Sequence, residues 1–146
     1  MDTATGLGRL IGPLRRAVLL RTRRSADLPD LPEAQIELLR ALSDAGALPP
    51  REVATRLRVA PSTVSNLVRA MTAAGLVERK PSSTDLRTVT LVASPHALDL
   101  LSRYDRVSAE ALRRALAALP PDSRQAIDEA LPALTELIEA LEEQHG

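Results

Sequence analysis

Five side chains able to read a nucleic acid sit within one short stretch: Ser62, Thr63, Ser65, Asn66 and Arg69. Short hydroxyls and an amide match the donors and acceptors of base edges, and an arginine matches a phosphate or a guanine edge. Between and after them Val64, Leu67, Val68 and Met71 recur at helical spacing, which predicts that the polar set lies opposite a buried face. A second polar and basic group follows, with Arg79, Lys80, Asp85 and Arg87 around the run Pro81, Ser82, Ser83, Thr84 and Asp85. Each piece also has an ordinary reading. Serine and threonine near a helix start are usually caps, and an arginine on a helix face is usually only solvated. What favours nucleic acid is the order in which the pieces occur.

A helix over residues 51–58 is expected, with Val53, Ala54 and Leu57 on its apolar face and Pro49 and Pro50 at its start. Val59 and Ala60 make a turn, and Pro61 occupies a first helical position. Gly75 reads as the residue just past the second helix. Residues 77–80 and 86–92 are β-rich, and the polar run between them makes a hairpin tip. Helix, turn, polar helix and strand pair are the parts of a winged helix-turn-helix, which places its second helix in a DNA major groove.

Other chemistries find little support. His96 and His145 are the only histidines, and neither has a partner at metal-ligand spacing. Glu142 and Glu143 read as a solvated helix end, and no phosphate-binding loop or nucleophile motif occurs. No enzyme activity, cofactor or metal is expected. Absence of cysteine excludes disulfides and thiolate zinc sites. No apolar run is long enough to span a bilayer and no secretory leader is read, so a cytoplasmic protein without a membrane partner is expected. Lys80 is the only lysine beside 18 arginines, a bias that points to a GC-rich bacterial genome.

The formal net charge is zero, but its distribution is uneven. Residues 51–90 hold seven basic and three acidic side chains, and residues 9–24 hold six arginines and no acid. Residues 119–146 hold one arginine and seven acids, so this end should lie away from DNA. Screening over about 8–10 Å lets a basic motif meet phosphates despite the neutral total.

The flanks read as helices that need a partner. Leu7, Leu10, Ile11, Leu14 and Val18 form one stripe, with Pro13 either kinking the helix or setting its start at Gly12. A long helix after Ser94 carries Leu98, Leu101, Val107 or Ser108, Leu112, Leu116 and Leu119 and ends at Pro120 and Pro121. Asp122 and Gln125 have the spacing of a capping box. Ile127, Leu131, Leu134, Ile138 and Leu141 step by four and three as in a helix-packing seam, and Pro132 should bend that helix. An intrachain bundle would account for these stripes. A homodimer accounts for them better, because a lone winged helix is small and such terminal helices leave apolar surface to cover.

The run from Val59 to Leu91 resembles the MarR family (multiple-antibiotic-resistance regulators), and Asp85-Leu86-Arg87 matches the family's D-x-R wing pattern. Residues 31–42 also resemble the helix that precedes the motif, and the resemblance covers roughly residues 7–142. It implies that Arg87 enters a minor groove, that Asp85 orients an arginine, and that the N-terminal and last two helices form a dimer. It also implies small aromatic or lipophilic ligands bound between the dimer helices and the DNA-binding lobe. Leu14, Val18 and Leu39 would line such a pocket, with Arg16 or Tyr104 for polarity; Tyr104 has a plainer reading as a packing residue. Three departures stand out: Arg58 where the family often has glycine, Ala60 where a serine or threonine usually caps, and Ala93-Ser94 for a leucine-threonine pair.

The expected fold is mostly α with a small β-wing, one domain over residues 1–146. Residues 31–92 form the winged helix-turn-helix, and residues 7–24 and 94–144 form the N- and C-terminal dimerisation helices. The expected function is a dimeric, sequence-specific repressor on double-stranded DNA with an inverted-repeat operator, relieved by a small lipophilic or aromatic ligand. The alternatives are a ligand-independent architectural DNA-binding protein, and an interaction protein that has lost DNA binding. The basic tip argues against the last.

Overall fold

The computed structural model describes residues 1–24 and 28–144; His145 lies outside them. Six helices and one antiparallel strand pair follow in the order α1 (Thr3–Arg23), α2 (Glu33–Ala45), α3 (Pro50–Leu57), α4 (Pro61–Ala73), β1 (Val77–Pro81), β2 (Val89–Ala93), α5 (Pro95–Ala117) and α6 (Pro121–Glu143). The fold is mostly helical with a small two-stranded wing.

The core is built almost entirely from aliphatic residues. Leu38, Leu39 and Leu42 of α2 pack with Val53 of α3, Val64, Val68 and Met71 of α4, and Val77 and Leu91 of the wing. Leu100, Leu101 and Tyr104 of α5 close the same cluster, so the first part of α5 belongs to the core of the winged-helix lobe. Fully burying each such side chain contributes roughly 1.5–3 kcal/mol.

Ser94 joins the lobe to α5. Its hydroxyl donates to the Gly75 carbonyl at 2.6 Å and accepts from Ala97 N at 3.1 Å, while its own N–H donates to Leu76 O at 2.9 Å. One buried serine thus caps α5 and fixes the turn after α4, where Gly75 takes φ +73°. The wing is anchored by a bridge that sequence inspection did not suggest. Leu48 N donates to Leu91 O at 3.1 Å, and Leu91 N returns a bond to Leu48 O at 2.7 Å.

The flanking helices differ in detail from expectation. α1 starts at Thr3 and runs through Pro13, capped by Asp2, whose carboxylate accepts from Thr5 N at 2.8 Å. The capping box of α6 does not form: Pro120 is the N-cap residue, and Gln125 Nε2 donates instead to Glu129 at 2.9 Å. Fixed extended φ/ψ at Pro120 already sets the entry angle, which leaves Asp122 as a first-turn acid near the helix dipole. Pro132 lies inside α6 and does not end it.

α1 rests on α5. The buried Thr22 hydroxyl donates to Val18 O at 2.8 Å, so Ser108, also at 2.8 Å, must donate to it. α6 behaves differently. None of its residues is buried, and Leu131, Ile138 and Leu141 are each more than half exposed. Its apolar seam is only partly covered within the chain.

Candidate nucleic-acid interface

α4 owes its orientation to its own sequence. Val64, Val68 and Met71 are buried, and successive residues turn by about 100°. Ser62, Ser65, Asn66 and Arg69 therefore project together on the outward face, with Thr63 at its edge, and all five are exposed. The Ser65 hydroxyl is turned back onto its helix, donating to Pro61 O at 3.2 Å. Among the described residues Arg69 has no acidic partner, so its guanidinium is available to an anion.

The turn into α4 accounts for two departures in sequence. Arg58 stands at φ +56°, ψ +45°, the left-handed region where glycine is favoured. Ala60 is the N-cap residue and supplies no side-chain bond, so α4 begins on Pro61 alone. Arg56 and Arg58 are both exposed. In sequence they enter only the charge count; their place beside the turn is what marks them as candidate phosphate contacts.

The wing departs most from expectation. β2 begins at Val89, so Arg87 lies in the tip and not on the second strand. Pro81 belongs to β1, paired with Val89, and the loop spans residues 82–88. Asp85 holds this loop. Its carboxylate accepts from Arg87 N at 3.0 Å and Thr88 Oγ1 at 3.2 Å, and its carbonyl accepts from Thr88 N at 3.0 Å. Ser82 N closes the loop onto Thr88 O at 2.8 Å. In this state the aspartate fixes the backbone of Arg87 and not an arginine side chain.

Arg79 and Lys80 are consecutive on β1 and project to opposite sides of the hairpin. Lys80 lies 3.7 Å from Glu78 on its own face, which offsets its charge. Of the four wing residues singled out by sequence, Asp85 and Arg87 are thus brought together at the tip, while Arg79 and Lys80 diverge. Leu86, between Asp85 and Arg87, is 83% exposed. Sequence reading passed over it, although an apolar residue inside a polar loop is a visible signal.

The anticipated ligand residues separate as well. Leu14 and Val18 line a groove of about 710 Å³ between α1 and α5, together with Arg21, Val107, Leu112 and Arg114. Leu39 is not there, because its side chain is consumed by the core. Tyr104 is buried, and its hydroxyl accepts from Leu31 N at 3.4 Å, the packing role. Arg16 is exposed and folds back toward Gly12. Polarity in the groove comes from Arg21, Arg24, Arg114 and Glu110 instead.

One ion pair ties the lobe to the long helix. Arg40 of α2 meets both carboxylate oxygens of Asp105 on α5, at 2.6 and 3.2 Å. The Asp105 hydrogen bond raises the Arg40 pKa above its ordinary value, against an opposing effect of partial burial.

Comparison with known proteins agrees with this geometry. The sequence profile of the MarR family matches residues 30–88, the span from the start of α2 to the wing tip. An HTH-type transcriptional regulator of Mycobacterium leprae is 29% identical over 106 residues, covering 73% of this chain and 74% of its own. Among solved structures, RV1404 from Mycobacterium tuberculosis superposes with a TM-score of 0.79 at 22% identity, covering 93% of this chain and 94% of that one. BpsR of Bordetella bronchiseptica, whose DNA binding is regulated by 6-hydroxynicotinic acid, superposes with a TM-score of 0.61 at 20% identity, over 92% and 96% of the two chains. By the match across residues 30–88 and the fold around it, this chain is similar to the MarR family and has the winged-helix fold of the solved regulators it superposes on.

Proposed function

We propose that two copies of this chain form a sequence-specific DNA-binding repressor that a small lipophilic or aromatic ligand releases from its operator. The observation that carries the reading is the outward face of α4, where Ser62, Ser65, Asn66 and Arg69 stand exposed above a core that fixes the helix. A helix so placed reads major-groove edges, while the tip with Arg87 reaches the flanking minor groove. A narrow A·T-rich groove attracts such an arginine through its negative potential.

The dimer is supported by α6 and by the first half of α1. Leu10, Ile11 and Leu14 are 60–64% exposed, and the α6 seam residues Ile127, Leu131, Leu134 and Ile138 are 40–56% exposed. Helices in proteins draw most of their stability from packing an amphipathic face, and a second copy supplies that packing for the exposed side of α6. Twofold symmetry then calls for an inverted repeat with half-sites about 10 bp apart.

Ligand release is supported by the groove between α1 and α5, whose volume of about 710 Å³ suits a small molecule. A ligand that moves α5 would also move α2 through the Arg40–Asp105 pair, and with it the spacing of the two α4 helices. Sedimentation at micromolar concentration, combined with selection from random duplexes, tests the reading. A dimer that recovers an inverted repeat is expected. A stable monomer, or recovery of no preferred sequence, overturns it. A thermal-shift screen should then find lipophilic acids that raise Tm and weaken operator binding; compounds that bind without weakening it favour the ligand-independent alternative.

A further inference from the structure

We propose that Leu86 is an apolar wedge: it enters the minor groove beside Arg87 and partly unstacks one base step in each half-site, kinking the operator there. The inference rests on the reading of α4 and the wing as a DNA interface, and it adds a deformation of the duplex that this reading alone does not require.

Three observations carry it. The first is exposure. Leu86 is 83% exposed, more than any other large apolar side chain described except Met1. Single exposed leucines are common on protein surfaces, so exposure is not sufficient. The second is rigidity. The leucine sits on a loop closed by four hydrogen bonds, from Arg87 N and Thr88 Oγ1 to the Asp85 carboxylate, from Thr88 N to Asp85 O, and from Ser82 N to Thr88 O. Its backbone is held while its side chain touches little, which is how a wedge must be mounted. The hairpin behind it is anchored in the core through Leu91, which is fully buried and bridged to Leu48.

The third is neighbourhood. Leu86 is flanked by Arg87, the cation that would draw the tip into the groove, and by Asp85, whose carboxylate is occupied within the loop. Minor-groove proteins combine cations with inserted apolar side chains, leucine among them, and kink DNA by roughly 20–90°. The groove offers the leucine an apolar surface only when a step opens. The wedge therefore selects steps that open easily, pyrimidine–purine steps such as TA and CA, without a hydrogen bond to any base. Leu86 thus acts as a specificity determinant by deformability, and Asn66 and Arg69 by direct readout.

The test uses the full-length dimer and a duplex recovered by selection. 2-Aminopurine placed at the wing step reports unstacking through its fluorescence. Wild type should raise that signal at least about twofold, whereas Leu86→Ser should leave it flat while retaining the dimer and fold. A duplex with a single mismatch at the step is already partly unstacked, so wild type should bind it about tenfold more tightly than the intact site, and Leu86→Ser should bind both alike. Selection repeated with Leu86→Ser should lose the TA or CA preference at that step. Recovery of no preferred sequence by wild type overturns the DNA-binding reading and the wedge with it. A recovered site whose 2-aminopurine signal stays flat, or rises equally with Leu86→Ser, overturns the wedge alone. A shift of Leu86→Ser toward monomer would make the leucine a subunit contact and overturn it too.

Discussion

Arg58→Gly should stabilise the protein, although it deletes a long side chain from the centre of the DNA-reading motif. The backbone at Arg58 takes φ +56°, ψ +45°, and it is the one non-glycine residue described at positive φ. For an L-residue this conformation costs roughly 1–2 kcal/mol through the clash of Cβ with the carbonyl. Glycine removes that clash but loses more freedom on folding, roughly 0.5–1 kcal/mol. The side chain is exposed and among the described residues holds no ion pair, so little contact is given up. The balance is a gain of about 0.5–1 kcal/mol, or about 1–4 °C in Tm for a chain of this size. Thermal unfolding at one fixed protomer concentration measures it, since a dimer's Tm moves with concentration. Arg58→Asn should fall between arginine and glycine because asparagine tolerates the left-handed region, and Arg58→Val should fall below wild type. Arg58→Gly at or below the wild-type Tm, or Arg58→Val above it, would refute the assignment of strain to this turn. Operator binding should respond separately: if Arg58 meets a phosphate, the salt slope falls by about one unit per subunit while stability rises.

Asn66→Ala should relax sequence preference at one or two positions per half-site, by about 1–3 kcal/mol, in a binding series over variant operators; equal loss on operator and random DNA would make Asn66 a phosphate contact. Arg87→Ala should weaken operator binding at least tenfold and lower the salt slope by about one unit per subunit, with fold and dimer retained. Asp85→Ala should weaken binding nearly as much without removing a positive charge, because it frees the backbone N–H of Arg87 and the hydroxyl of Thr88; tighter binding would show that the carboxylate acts only as a negative charge near DNA. Leu134→Glu with Ile138→Glu should yield monomers in sedimentation, since both side chains lie on the partly exposed seam of α6; an intact dimer would place the interface elsewhere. Asp105→Asn should lower stability by no more than about 1 kcal/mol, because the pair is half exposed. The raised pKa of Arg40 keeps that contribution present through neutral pH and loses it, on the alkaline side, where strongly alkaline pH passes the folded value, so a stability profile from pH 6 to 9 should show no step from this arginine.

Local chemistry made much of this protein legible in its residues. Val64, Val68 and Met71 at helical spacing, Pro61 at a helix start and Gly75 past its end each state a backbone preference within a few positions, and all were met, whereas the hairpin tip was placed only in part, since Pro81 joined β1 and the loop ran on to Thr88. The face of α4 that carries Ser62, Asn66 and Arg69 followed from the same periodicity, because the rotation of a helix is set once its apolar stripe is buried. What depended on distant partners was not legible. Leu39 and Tyr104 are apolar and semi-polar residues of types that suit a pocket, yet only packing from α3, α4 and α5 decided that both are consumed by the core. Asp122 and Gln125 had capping-box spacing, but an extended Pro120 had already set the start of α6. Arg87 could be placed near a tip by sequence, whereas its place off the strand depended on the Asp85 carboxylate choosing backbone donors over a guanidinium. The bridge from Leu48 to Leu91, the Arg40–Asp105 clamp and the exposure of Leu86 join or isolate residues separated along the chain. Propensity and periodicity act over one or two turns of chain, whereas contacts between residues far apart in sequence are settled only when the whole core closes.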